Sequence, residues 1–314
     1  MTIYITNIPS ASDNLSSGHI FWEIFTCYIL SILIENIIPV YNNTWDKSQI
    51  VTPCMKKNNI NDFNKLKTIT ISKYHCFNSL NCKQFSELKN TILTAEKKHK
   101  NILVKLTNVC KIHPDILCEW YNNKLISENI YEQKCKPMLE NLYFSDNNYE
   151  ELNIFSIHMR RGDLYNYTYN EGYDLEYYKN IINLLKEKLD IPIHIYTEKS
   201  GNNTTTKLIK CRNNGHAKRN NVGHDDIEIF RNMEGIVLKR GDLSDFSEHF
   251  NEMCRSKYLM LGLSSLSLLA GFINKGKVIV DEKYIKSRVN LFKNIKIIPD
   301  FNIFKEIEEI SKFF

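Results

Sequence analysis

The sequence predicts an α/β fold built mainly on parallel strands, in two units that meet near residue 145. Three observations carry that expectation. Short runs of β-branched and apolar residues alternate with longer segments of helical period along most of the chain. A polar, turn-rich stretch at 143–150 (Tyr-Phe-Ser-Asp-Asn-Asn-Tyr-Glu) interrupts the alternation about midway. The chain has 314 residues, 43% hydrophobic and 11% aromatic, which suffices for two compact cores. The expected division is 1–145 and 146–314.

In the first half, residues 3–8 alternate and read as a strand. A turn-rich loop at 9–18 leads into a helical run at 19–36 and a short strand at 37–41. Further strands are expected at 68–74 and 101–106, a helix at 85–99, and one or two helices within 115–140. In the second half, an apolar strand at 153–159 precedes a helix at 174–189, with Leu175, Tyr178, Ile182 and Leu185 on one face. A strand at 191–197 follows. Residues 199–225 are polar and basic, carry Gly201, Gly215 and Gly223, and read as a mobile loop. Regular structure should resume near Ile227, with a strand at 235–239, a helix at 246–256 and a strand at 258–262. A helix at 264–274 and a final strand at 277–280 complete the expected order.

Charge and cysteine usage narrow the function classes. A net charge of +5 is mild for this length and suits a binder of anionic small molecules better than a nucleic-acid protein. The basic loop residues Lys210, Arg212, Lys218 and Arg219 lack interleaved aromatics, so no nucleic-acid partner is expected. The nine cysteines contain no Cys-x-x-Cys pair and no zinc-like spacing, which points to reduced thiols in the cytoplasm. Residues 1–12 lack a basic segment followed by an apolar core. The most apolar stretch, 20–41, is interrupted by Glu23 and Glu35. Its charge-free part, 24–34, falls short of the ~20 residues a bilayer needs, so no stable membrane insertion is expected. The sequons at Asn42 and Asn166 are accordingly expected to carry no glycan. The tripeptides Arg161-Gly-Asp163 and Arg240-Gly-Asp242 read as chance, and His224-Asp225-Asp226 as a loop-to-helix cap with no metal.

The chemistry concentrates in Ile154-Phe-Ser-Ile-His158-Met-Arg160-Arg161-Gly162-Asp163. Paired guanidinium groups at the end of an apolar strand suit phosphate oxygens, which they hold through forked, charge-assisted hydrogen bonds. Open α/β sheets bind ligands at the carboxyl ends of their strands. Gly162 permits a sharp turn, and Asp163 can lock one guanidinium. The run reads as a nucleotide-diphosphate clamp. A second anion-binding element is Leu261-Gly-Leu-Ser264-Ser265-Leu266-Ser267, at a strand-to-helix passage where hydroxyls, backbone amides and the helix dipole all favour negative charge. A plain serine N-cap accounts for one of these serines.

The His158-x-Arg160-Arg161-Gly162-Asp163 run resembles the arginine motif of GDP-fucose-dependent fucosyltransferases, the group of α1,2-, α1,6- and protein O-fucosyltransferases. The 264–267 turn is similar to that family's Ser-Ser-Phe-Ser/Thr turn, with Leu266 in place of the aromatic. Tyr196-Thr-Glu198 resembles a strand-end element of the same family. Together the resemblance spans 153–285. It implies a GT-B type α/β architecture, two Rossmann-like domains facing across a cleft, with an N-terminal acceptor-side domain and a C-terminal nucleotide-sugar-binding domain. It also implies an inverting, metal-independent enzyme moving a sugar, fucose above all, from a GDP-sugar to a glycan or protein hydroxyl, with no further cofactor. Arg160 would neutralise the departing phosphate. Arg161 and Asp163 would hold the turn, and Arg161 joins the nucleotide-binding set. His158 would contact ribose or phosphate, or pack. Ser264, Ser265 and Ser267 would bind phosphate, and Asp245 would accept from guanine. Asp242 is the alternative to Asp245, and either can instead cap the helix.

The N-terminal half departs from the family. Its loop at 10–19 keeps one glycine and lacks the Asn-Gln pair of the family's glycine-rich loop. Asp13, His19 and Glu23 are the candidate general bases there. Glu23 is alternatively the solvated face of its helix, and His19 a cap. Other readings are a GT-B enzyme with a different nucleotide sugar, or a non-catalytic nucleotide- or carbohydrate-binding protein.

Overall fold

A computed structural model describes residues 2–8, 17–48, 52, 54–63, 65–71, 82–99, 101–107, 130–144, 149–159, 175–198, 226–241, 245–262, 264–281 and 295–298. The basic stretch at 199–225 lies outside the described residues. Contacts divide the chain into two compact units, Met1–Tyr149 with Ser287–Lys293, and Glu150–Lys286 with Asn294–Phe314.

The first unit carries β1 (Thr2–Ile8), β2 (Ile37–Pro39), β3 (Lys67–Ile71) and β4 (Asn101–Thr107), all parallel, in the order β2-β1-β4-β3. Central β1 buries Ile3, Ile5, Thr6 and Asn7. Helix α1 (Ser17–Leu33) is buried continuously from Glu23 to Leu30, as a helix enclosed by its own unit should be. It ends three residues earlier than the periodicity suggests. Asn36 takes a left-handed conformation, φ 64°, which asparagine tolerates, and its carbonyl accepts from Ile3 N–H as the chain enters β2. Helix α2 (Cys82–Lys98) buries Phe85, Leu88 and Ile92 at helical spacing. Its last turn carries Lys97 and Lys98, favourable at the negative end of the dipole. A π-turn at Tyr131–Cys135 runs into α3 (Lys136–Tyr143), with Pro137 in the first turn. Helix therefore continues three residues past 140, to the start of the stretch that reads as an all-turn boundary.

The second unit holds β5 (Leu152–His158), β6 (Ile193–Glu198), β7 (Ile236–Gly241), β8 (Ser256–Met260), β9 (Lys277–Asp281) and β10 (Ile295–Ile298). They form one parallel sheet in the order β10-β9-β8-β5-β6-β7. The strand expected at 277–280 is thus not the last. β10 escaped notice because Lys293, Asn294 and Lys296 break up its short apolar run. Helices α4 (Leu175–Lys188), α5 (Phe246–Arg255) and α6 (Ser265–Ile273) belong to this unit. β8 begins at Ser256, two residues before the expected start, directly from the last residue of α5. Asn274 Nδ2 bonds the carbonyls of Met253 and Ser256, each at 2.8 Å, and fixes that junction.

The two faces of β5-β6-β7 differ because side chains alternate along each strand. One face presents Phe155, Ile157, Met159, Ile193, Ile195, Ile236 and Leu238 to Tyr178, Ile181, Ile182 and Leu185 of α4 in a dry core. The other presents Ser156, His158, His194, Tyr196 and Lys239, and α5 covers it with polar side chains of its own. Among the described residues no helix is long and apolar enough to cross a membrane.

Candidate functional site

The strand order of the second unit reverses at β5. From β5 the chain moves outward to β6 and β7, then returns to the opposite side of β5 with β8, β9 and β10. That is the order of dinucleotide-binding sheets, whose ligands sit outside the carboxyl ends of the two strands flanking the reversal. Those strands are β5 and β8, in register at Ile157 and Met260. The arginine motif follows β5 directly, and the serine turn follows β8.

The two strand ends touch. A Cβ at Gly262 would overlap the His158 carbonyl oxygen and lie 2.8 Å from its Nδ1. Glycine here is a requirement of close approach. His158, 8% exposed, is wedged against that backbone. Met159 N–H bonds Tyr196 O at 2.8 Å and Leu261 N–H bonds Ile279 O at 2.9 Å, so regular pairing extends to both motifs. Arg160, Arg161, Gly162 and Asp163 lie outside the described residues, as do Asp13 and the side chains of His19 and Ser265.

The serine turn is a built N-cap. Ser264 is extended, φ −152° and ψ 133°, and its Oγ accepts from Leu266 N–H at 3.1 Å. Ser267 is fully buried and donates to Gly262 O at 2.8 Å and Ser264 O at 3.1 Å. Both hydroxyls therefore shape the passage from β8 into α6. Helix α6 starts at the carboxyl end of the sheet, where its positive dipole end favours an anion.

At the far edge of this half-sheet, Asp245 immediately precedes α5. It adopts a helical conformation, φ −87° and ψ −9°, with no side-chain cap hydrogen bond. The cap alternative for Asp245 is therefore not realised. A Cβ on Gly241, the last residue of β7, would lie 2.6 Å from His249 Cε1 and 3.1 Å from Asp245 Cβ. The ring of His249 meets Tyr196 edge-on, centroids 5.5 Å apart.

Beneath α5 lies a polar layer that sequence reasoning missed. Tyr196 donates to Glu252 Oε2 at 2.6 Å. Lys239 Nζ donates to Glu252 Oε1 at 2.5 Å and reaches Glu248 at 3.5 Å. His194 Nδ1 stands 3.5 Å from the same carboxylate. Burial alone would raise the Glu252 pKa, but hydrogen bonds from His194, Lys239 and Tyr196 outweigh it and hold the group at about 2. Burial first, then the Glu252 carboxylate, pushes the Tyr196 phenol well up. The available signal was a set of polar residues, 194 and 196, at strand spacing inside an otherwise apolar run.

Arg240 is also committed. It pairs with Glu228, which Arg231 bonds at 2.5 Å, and the two guanidinium groups hold Glu228 at about 2. Arg240 and Gly241 of the second Arg-Gly-Asp tripeptide thus belong to β7, with the guanidinium buried, and Asp242 lies outside the described residues.

In the first unit, Glu23 is 5% exposed, so the solvated-face alternative is corrected: its position on α1 faces inward. Asn7 is the hub of that region. Its Nδ2 donates to Glu23 O at 2.9 Å, and its carbonyl accepts from Asn42 Nδ2 at 2.9 Å and Trp45 Nε1 at 2.7 Å. Asn42 Nδ2 also reaches Thr6 Oγ1 at 2.9 Å. With Asn42 buried and its amide used twice, the sequon there is closed to modification in the folded unit. An open groove of about 460 Å³ runs along β3 and α2, past Ile69, Thr94, Lys98 and His99, and contains none of the expected site residues. Among the described residues no three His, Cys, Asp or Glu side chains are grouped to hold a metal ion.

The second unit is thus a parallel α/β sheet of dinucleotide-binding strand order. No protein-family model matches the chain, and no curated protein matches it.

Proposed function

We propose that the chain is an inverting, metal-independent glycosyltransferase of GT-B type that moves fucose from GDP-fucose to an acceptor hydroxyl. One observation carries the reading: the arginine motif and the serine turn leave neighbouring strands at the one point where the sheet's strand order reverses. In this reading the second unit takes the donor and the first takes the acceptor.

In this reading the pyrophosphate lies between the residues after β5 and the start of α6. The bond between sugar C1 and the β-phosphate oxygen breaks as an acceptor oxygen bonds C1 from the opposite face. Charge gathers on the phosphate, where the Arg160 guanidinium and the α6 N-terminus oppose it, a preorganised contribution of roughly 3 kcal/mol. The acceptor proton passes to a base drawn from Asp13, His19 and Glu23, or to solvent if the sugar carries most of the developing positive charge. Asp245 accepts from the guanine.

The eroded loop at 10–19 favours one second reading, a protein that binds nucleotide or carbohydrate without turnover. Binding of GDP, UDP, ADP and CMP, followed by hydrolysis and transfer assays with GDP-fucose, tests both. Selective binding of GDP with turnover that collapses in Arg160→Ala is the expected result. Selective binding of UDP overturns the fucose reading. GDP binding without turnover, weakened but not abolished in Arg160→Ala, selects the second.

A further inference from the structure

The carboxyl end of β7 holds a group that neither motif includes. His249 lies one helical turn after Asp245 on α5, so the two share a face of that helix. Its ring lies against Gly241, where β7 ends, and against the edge of Tyr196. The Tyr196 hydroxyl is in turn fixed by Glu252, so this support for the imidazole is rigid. Among the described residues neither ring nitrogen of His249 makes a hydrogen bond. Burial, then Lys239, lowers its pKa against the opposing pull of Asp245, Glu252 and Glu248, which favours the neutral ring. A neutral imidazole offers one N–H donor and one acceptor nitrogen.

We propose that His249 is a specificity-determining residue of the donor site, donating a hydrogen bond to the base beside the Asp245 carboxylate. The inference rests on the nucleotide-sugar reading above and deepens it. Along one edge guanine presents two donors, the 2-amino group and N1–H, and then an acceptor, O6. A carboxylate supplies two acceptors, and an imidazole N–H next to it supplies the donor. Adenine places an amino group where guanine has O6, and uracil flanks a single N–H with two carbonyls, so neither matches this set. Asp245 alone answers only the two donors; His249 completes the edge. The tight fit of Gly241 explains why the ring can stand so close to the strand end.

Isothermal titration of the full chain with GDP, IDP (which lacks the 2-amino group), ADP and UDP tests the idea. Wild type should prefer GDP, with IDP weaker. His249→Ala should raise the Kd of GDP and of IDP by about the same factor, on the order of tenfold for one lost hydrogen bond, and narrow the GDP-to-UDP ratio. His249→Gln, which keeps a side-chain N–H donor, should recover part of the loss. A thermal midpoint measured on each variant separates folding from recognition. Wild type that shows no preference for GDP sinks the nucleotide reading and this inference with it. Wild type that prefers GDP while His249→Ala keeps a GDP-to-UDP ratio within about twofold overturns the inference alone.

Discussion

Gly262 and His158 are in backbone contact across the β8–β5 boundary, with no room for a side chain at 262. The contact joins the two strand ends from which the arginine motif and the serine turn depart. It makes the spacing between them a property of the sheet rather than of either loop.

Gly262→Ala should therefore be costly. The group it would strike is a backbone carbonyl in a paired strand, which cannot swing aside as a flexible side chain would. Overpacking of this kind costs about 1–3 kcal/mol. Urea denaturation should show a clear fall in midpoint with unchanged slope; a midpoint equal to wild type would refute the contact.

Ser264→Ala removes the Oγ that accepts from Leu266 N–H at the start of α6. The expected loss is about 1 kcal/mol, from the cap alone. Ser264→Asp should retain most of the stability, and an alanine variant as stable as wild type would show that the cap contributes nothing.

The parallel α/β class, the strands and helices flanking the motifs, and the helix covering 175–188 were all legible, because β-branched runs and 3.6-residue spacing are local signals. β10 was not, since four residues with a lysine among them owe their strand state to pairing with β9. The junction of α5 with β8 differs by two residues because Ser256 and Lys257 carry no strand signal, and Asn274 fixes Ser256 from eighteen positions away. For the site, Ser264 as a cap was legible from residue type. The burial of Ser267 and Glu23, and the meeting of Gly241 with His249, arise from tertiary approach that no local pattern encodes.

Acid should expose the polar layer under α5. Glu252 and Glu228 both stand at about 2 in the folded state, against an ordinary 4.5. Depressed carboxylates contribute stability that is fully present above the unfolded value and lost as pH falls toward the folded one. Stability should thus decline between roughly pH 4.5 and 2. Glu252→Gln should flatten part of that decline in a series of urea titrations across the range. An unchanged acid limb would contradict the ion pairing with Lys239.

Asn42→Ala removes one amide that serves both Thr6 Oγ1 and Asn7 O inside the first unit. Leaving buried groups without partners costs about 1–3 kcal/mol. Loss of thermal stability with an intact second-unit nucleotide response is expected. A variant that melts with wild type would show that the Asn7 hub does not need this amide.

Helix α5 passes into β8 at Arg255–Ser256 with no connecting loop, and Asn274, the residue after α6, bolts the joint through the Met253 and Ser256 carbonyls. A rod coupled to a beam without slack cannot tilt alone. The joint thereby helps set where Asp245, at one end of that rod, stands relative to Gly262 and the serine turn at the end of β8.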